Sequence, residues 1–313
     1  MSKKISLCVP CYNEEENIYD VYEKLTKIMS TMPEYDYEII FEDNDSKDHT
    51  QDLLRELAGK DTKVKVILNT RNFGPARSGK NCCFSASGDV IISIASDLQT
   101  PPEMIPVFLK YWEQGYKIVM GQKEKSEEDR LKVYLRSVYY KIIKHFSEIP
   151  QYEHMTGFGA IDASVYQQIK DMGEYEMSIR HIIAELGYEV KLVPYTQRER
   201  KHGKSSYNLW RNFDFAISSL IYTSKMPIRL MTIIGCLSSF FTLIFWWISI
   251  VQEILRYPDS LAERRCSVRG LAFLGTLQLF FTGLLGEYLS VVLTKVNKRP
   301  IVVEKERINF GDK

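Results

Sequence analysis

Three short polar runs hold most of the groups in this chain that could do chemistry. They are Pro10-Cys11-Tyr12-Asn13-Glu14, Glu42-Asp43-Asn44-Asp45-Ser46-Lys47-Asp48 and Ser96-Asp97-Leu98-Gln99-Thr100-Pro101-Pro102-Glu103, and each follows a strand-like apolar stretch. Carboxylate and amide oxygens gathered where strands end suit a hydrated nucleotide held through a divalent cation, Mg²⁺ or Mn²⁺. Taken singly, Asn, Asp and Ser are ordinary turn and cap residues. The weight rests on three runs sharing one pattern.

Two other motifs compete with them. Gly74-Pro75-Ala76-Arg77-Ser78-Gly79-Lys80-Asn81 fits the phosphate-loop pattern up to its last position, where Asn81 replaces the hydroxyl residue that would hold Mg²⁺. Five residues, Asn69 to Phe73, also separate the strand from the first glycine, whereas a phosphate loop follows its strand directly. The match reads as coincidence, with a membrane-bound nucleotide hydrolase kept as a rival. Cys8-Val9-Pro10-Cys11 has the spacing of redox and zinc sites, but no second Cys-x-x-Cys completes a tetrahedral site, so reduced structural thiols are expected.

The elements that must position these residues alternate along the first two hundred positions. Strand-like stretches at Ile5–Val9, Tyr37–Phe41, Val64–Leu68, Val90–Ala95, Lys117–Met120 and Val190–Pro194 alternate with helix-like ones at Glu14–Met29, Lys47–Leu57, Ala76–Ala86 and Glu103–Trp112. This order predicts a largely parallel sheet with helices on both faces. Asn13 and Glu16 have capping-box spacing at the first helix. Arg130–Phe146 reads as a further amphipathic stretch.

The last quarter of the 313 residues is different. Met231 to Val251 is 21 residues without a charge, enough for ~31 Å of helix, about the thickness of a hydrocarbon core. A second apolar stretch runs from Gly270 to Thr294, interrupted by Glu287. Seven basic residues lie between Arg198 and Arg229 and six between Lys295 and Lys313, against four with three acids in the connecting loop Gln252–Arg269. That bias places both flanks on the cytoplasmic side, and the short apolar run at the N-terminus is no signal peptide. Before the first span, Tyr207–Thr223 has the spacing of an interfacial helix. With 41 basic and 40 acidic residues the net charge is +1, so a duplex nucleic acid partner is not expected.

Together these strings resemble the family 2 glycosyltransferases, in particular their polyprenyl-phosphate sugar transferase branch. The resemblance covers nearly the whole chain and is most specific at Arg71-Asn72-Phe73-Gly74, at Asp97-Leu98-Gln99 with Pro101-Pro102-Glu103, and at Arg200 to Gly203 to Ser205. It implies a GT-A α/β domain over 1–205, a juxtamembrane amphipathic helix over 206–229, two C-terminal transmembrane helices over 230–294 and a cytoplasmic tail over 295–313. It implies transfer of a sugar, with inversion, from a nucleotide-diphosphate sugar to a membrane polyprenyl phosphate. The protein would be a multi-pass plasma (inner) membrane enzyme with its catalytic domain facing the cytoplasm, and a homo-oligomer is compatible with the sequence.

The residue roles follow from the same resemblance. Pro10, Tyr12, Asn13, Glu14, Asp43, Asn44, Asn72, Gly74, Ser96 and Asp97 would bind the donor. Asp97 and Gln99 would hold the cation, and Arg136, Arg200, Lys201, Lys204 and Ser205 would meet the acceptor phosphate, with Asp97 and Arg200 catalytic. Three positions depart from the branch: Ala95 stands where an aspartate usually precedes Asp97, Asn44 replaces the second of a paired aspartate, and Gly157 stands near an aspartate often proposed as base. A nucleotide-sugar-binding scaffold without transfer is the alternative these departures keep open.

Overall fold

The computed structural model describes residues 2–124, 152, 155–173, 178–198, 226–254, 260–296 and 300–311. Among them β1 (Lys4–Cys11), β2 (Asp36–Asp43), β3 (Val64–Asn69), β4 (Val90–Ser93), β5 (Ile118–Lys123), β6 (Met155–Asp162), β7 (Val190–Tyr195) and β8 (Glu304–Ile308) form one sheet, in the order β7-β5-β6-β4-β1-β2-β3-β8. The helices are α1 (Ile18–Ser30), α2 (Thr50–Lys60), α3 (Pro75–Phe84), α4 (Ile105–Glu113), α5 (Ala163–Met172), α6 (Ile179–Leu186), α7 (Met226–Ile254) and α8 (Ser260–Val296).

β1 pairs in parallel with β2 and β4, and β2 with β3. Consecutive residues Ile39, Ile40 and Phe41 are all fully buried, so both faces of β2 are covered, which is why its strand is a continuous apolar run rather than an alternating one. The helices that cover it bury one stripe each: α1 turns Ile18, Val21, Leu25 and Met29 inward.

β6 breaks the parallel order. It lies antiparallel between β4 and β5, with Ser93 opposite Gly159. Gly159 is required there, because a Cβ would stand 2.4 Å from the Val119 carbonyl oxygen. Beyond it, the ring of Phe158 packs edge-on against Phe108 of α4 at 4.8 Å and against Tyr195 of β7 at 5.6 Å. The topology brings the ends of β1 to β5 and β7, and the beginning of β6, to one edge of the sheet.

β8 was not expected. Residues read as a tail pair antiparallel with β3, Val66 opposite Ile308, and cover what would have been an open edge. Arg55 of α2 and Glu306 hold the strand from one side at 2.9 Å, and the amide of Asn309 donates to the carbonyls of Ala58 and Val64. The chain divides into two units, one comprising 1–145, 149–208 and 299–313, the other 146–148 and 209–298.

The second unit contains α7, 29 residues long, and α8, 37 residues long. Large apolar side chains stand exposed along both, among them Phe240, Phe241, Trp247, Leu271, Leu279 and Phe280. Over the described residues alone, no helix is long and apolar enough to cross a membrane. The side chains of Leu243, Phe245, Trp246, Ser249 and Ile250 in α7 lie outside that set.

Candidate functional site

The polar runs at the sheet edge are stitched to one another before any ligand arrives. Asn44 N donates to the Cys11 carbonyl at 3.0 Å, Asn13 N to Ser46 Oγ at 2.8 Å, and Lys47 N to Asn13 Oδ1 at 2.8 Å. Glu14 N donates to Thr50 Oγ1 at 2.9 Å, and the Glu14 carboxylate turns inward to accept from Asn17 Nδ2 at 2.6 Å. Asn13 and Asp45 adopt positive φ, a conformation Asn and Asp tolerate better than most residues. The capping box predicted from Asn13 and Glu16 is not formed: α1 begins at Ile18, and the Asn13 side chain caps the 44–47 turn instead.

Asp43 ends β2 fully buried. Its carboxylate accepts from Ser46 N at 3.0 Å, from the Ser46 hydroxyl and from Gln51 Nε2 at 2.8 Å. Burial pushes this carboxyl above its usual value, while the Ser46 and Gln51 donors hold it down. Ser46 was legible as a turn partner from its spacing after Asp43; Thr50 and Gln51 carried no signal of their own.

Asn44 is nearly as buried. Its Oδ1 accepts from Phe73 N at 2.9 Å and its Nδ2 donates to Asn72 Oδ1 at 3.0 Å, while Asn72 Oδ1 also accepts from Gly74 N at 2.9 Å. Gly74 has φ +87° and is followed by Pro75 at the first position of α3, which fixes a sharp entry into that helix. Gly79 and Lys80 lie inside α3 and Lys80 is buried, so the Gly-x-x-x-x-Gly-Lys string forms a helix and not a phosphate-cradling loop. The hydrolase reading falls with it.

Pro10 is half-buried on β1 opposite Glu42, and Tyr12 just beyond presents its ring to solvent at 41% exposure. Ser96 is buried beside the β4 exit, and Asp97 is half-buried with Oδ1 accepting from Gln99 N at 3.1 Å. The turn requires positive φ at Leu98, which is buried. The chain leaving β7 fastens onto this turn: Arg198 N donates to the Gln99 carbonyl at 3.0 Å, Gln197 Nε2 to Gln99 Oε1 at 2.9 Å, and Arg198 pairs with Glu103 at 3.2 Å. Gln197 carried no sequence signal.

Arg136, Arg200, Lys201, Lys204 and Ser205 lie outside the described residues, as do Glu153, His154 and the interfacial-helix candidate. Gly157 is described and exposed, and a Cβ built on it would meet nothing within 4 Å.

For a divalent cation the described donors are one carboxylate, Asp97, and one amide oxygen, Gln99. No group of three or more metal-ligating side chains occurs among the described residues. Such a set cannot cage an ion alone, but it suits Mg²⁺ or Mn²⁺ shared with substrate phosphates, which takes only one or two protein carboxylates. The Cys-x-x-Cys pair does not belong here. Cys8 and Cys11 are free and buried, and burial pushes both thiols well above their ordinary range.

A comparison with known proteins matches residues 6–181 to the family described as Glycosyl transferase family 2. The SfII prophage-derived bactoprenol glucosyl transferase of Shigella flexneri is 30% identical over 310 residues, 97% of this chain and 98% of its own. The prophage bactoprenol glucosyl transferase homolog of Escherichia coli K12 is 30% identical over 303 residues, 96% of this chain and 98% of its own. Among solved structures, mannosyl-3-phosphoglycerate synthase from Rubrobacter xylanophilus has a TM-score of 0.49 at 14% identity, covering 69% of this chain and 71% of that one. With its mixed GT-A sheet and its matched polar edge, this chain belongs to glycosyl transferase family 2.

Proposed function

We propose that this protein transfers the sugar of a nucleoside-diphosphate sugar to a polyprenyl phosphate at a membrane. The observation that carries the reading is the relatives' likeness over nearly the whole chain, helices α7 and α8 included, to proteins named for a bactoprenol acceptor. The sheet edge is consistent with it: the turns after β1, β2 and β4, where a donor would sit, lie at one edge, and the last of them is bonded to the chain leaving β7.

In this reading Tyr12 stacks on the donor, Asp43 shapes the donor turn from inside, and Asp97 with Gln99 would hold the cation. The cation, when bound, neutralises charge on the departing nucleoside diphosphate. Arg200, Lys201, Lys204, Ser205 and Arg136 orient the acceptor phosphate. That phosphate, with a second pKa around 6, arrives largely dianionic at neutral pH, so a protein base is dispensable and Gly157 is no defect.

We read α7 and α8 as two membrane crossings, supported by their length and their exposed Phe, Leu and Trp side chains. The pairing of β8 with β3 supports an even number of crossings, because the chain must return to the side where β3 folds. The catalytic unit then faces the cytoplasm, as the basic flanks predict.

The test is incubation of the purified full chain with Mn²⁺, a panel of nucleoside-diphosphate sugars and undecaprenyl phosphate. A lipid-linked sugar is expected with one donor. Donor binding without lipid product would move the protein to the scaffold class.

A further inference from the structure

We propose that Asn44 and Asn72 form an amide clasp that positions residues 72–74 for nucleoside-diphosphate binding, and that Asn44 does not itself read the nucleobase. This rests on the donor reading above. Two backbone donors fix the orientation of both side chains without ambiguity. Phe73 N–H needs an acceptor, so the atom of Asn44 facing it is Oδ1; Gly74 N–H needs one too, so the atom of Asn72 facing it is Oδ1. The remaining contact, Asn44 Nδ2 to Asn72 Oδ1, then has a donor and an acceptor correctly paired.

The clasp fixes one end of the 70–74 segment. At its far end Thr70 is held by the Val303 carbonyl, through its N at 3.0 Å and its Oγ1 at 3.1 Å. Between those anchors Arg71 and Asn72 are exposed, with the Arg71 guanidinium stacked 4.0 Å from the Phe73 ring centroid. Asn44 in turn is fixed by its own backbone bond to Cys11, so it carries the position of the donor turns across to the start of α3.

The two amides are therefore not equivalent. Asn44 uses both ends of its amide, whereas Asn72 uses its oxygen in both bonds. A carboxylate at 72 keeps both acceptor roles. One at 44 keeps the bond to Phe73 N–H but sets oxygen against oxygen at Asn72, and if Asn72 turns over to donate, Gly74 N–H loses its acceptor. An isosteric Asn-to-Asp change is thus tolerated at one position and not at the other.

The experiment compares Asn44→Asp, Asn72→Asp and the double variant in the full chain in detergent. It measures UDP and GDP binding by calorimetry with Mn²⁺, and hydrogen exchange at Phe73 and Gly74. Asn44→Asp is expected to raise the UDP dissociation constant about 10- to 30-fold, the loss of one or two ordinary hydrogen bonds. Protection at residues 73 and 74 should fall with it. Asn72→Asp is expected to keep wild-type exchange protection at residues 73 and 74 and to weaken UDP binding less than Asn44→Asp does, and the double variant to be worse than the product of the single effects.

Equal losses in the two single variants, or additive losses in the double, would overturn the clasp. So would a change in UDP-against-GDP preference in Asn44→Asp with exchange unaltered, which would make Asn44 a base reader. If wild type binds UDP but makes no lipid-linked sugar, the transfer reading fails while the clasp is still decided by the variants. If wild type binds neither nucleotide, the clasp's role in donor binding fails even with the exchange pattern intact.

Discussion

The two halves of the sheet edge are built by different rules. On the side of β1, β2 and β3, the side chains expected to touch ligand are spent largely on one another: Asp43 on Ser46 and Gln51, Asn44 on Asn72 and Phe73, Glu14 on Asn17. On the side of β4, β6 and β7, the turn at Asp97 is tied to the chain leaving β7, and Gly157 opens onto free space. The first half is a finished mould, and the second a short carboxylate-bearing turn where the proposed function places the cation and the diphosphate. Polar residues that build a site and polar residues that act in it thus look alike in sequence, and only their bonding separates them.

The sharpest way to break this comparison is at Asp97. Asp97→Asn keeps an oxygen to accept from Gln99 N, so the fold should survive, yet one ligand charge is lost. Turnover is expected to fall by ~10³-fold or more, the scale of a removed electrostatic stabiliser, with Mn²⁺-dependent donor binding weakened. Turnover within threefold of wild type would take Asp97 out of the chemistry.

In the donor half the largest effect should instead be on stability. Asp43→Ala orphans the Ser46 N–H, the Ser46 hydroxyl and the Gln51 amide in a buried setting, which should cost about 2–3 kcal/mol. Urea unfolding of the full chain measures it, and a loss below 0.5 kcal/mol would mean these donors reach water.

A third test uses Glu42, one residue before Asp43 and fully buried. Burial outweighs its hydrogen bonds from Asn69 at 2.8 Å and Asn81 at 3.0 Å and pushes its carboxyl up to about 8 from an ordinary 4.5. The folded protein therefore keeps a proton that the unfolded chain releases near 4.5, so stability is full below that value and is lost as pH rises through about 8. Asn69 Oδ1 has no partner among the described residues, so a turned-over Asn69 could accept from a donor at position 42. Glu42→Gln should match wild type near pH 5 and exceed it by about 4 kcal/mol at pH 9. Parallel stability-against-pH curves would show that Glu42 is ionised in the fold.

The smallest effect is expected at Gly157. Gly157→Asp has room for its side chain and restores the residue type the family resemblance would place there, yet it should leave melting within ~2 °C and turnover within about threefold. A tenfold or greater gain in turnover would show that a base had been missing.

Much of the fold was legible because buried parallel strands advertise themselves. Ile39-Ile40-Phe41 and Val66-Ile67-Leu68 are runs of apolar residues that only a covered sheet explains. β6 escaped because Met155-Thr156-Gly157-Phe158-Gly159-Ala160 offers two glycines and no clean alternation, its glycine at 159 answering a close backbone approach that only the folded neighbours create. β8 escaped because Glu304-Lys305-Glu306-Arg307 reads as a solvated tail, its charges serving Arg55, Asn81 and Ser85 across the fold. At the site, residue types were legible and their bonding was not. Asn13, Glu14 and Asn44 sit where the motif puts them, and each spends its side chain on a neighbouring turn.

The pairing of β8 with β3 also sets a schedule for the chain's birth. Residues 64–69 leave the ribosome early, yet their outer edge has no partner until residues 304–308 have been made, some 240 positions later. Throughout that interval the nascent sheet shows a bare strand to its surroundings, a template for mispairing that closes only once β8 has been made. Every premature stop in the last helix would leave that edge permanently bare. A copy truncated ahead of β8 therefore offers β3 to any strand that meets it, and pairing between copies replaces pairing within one.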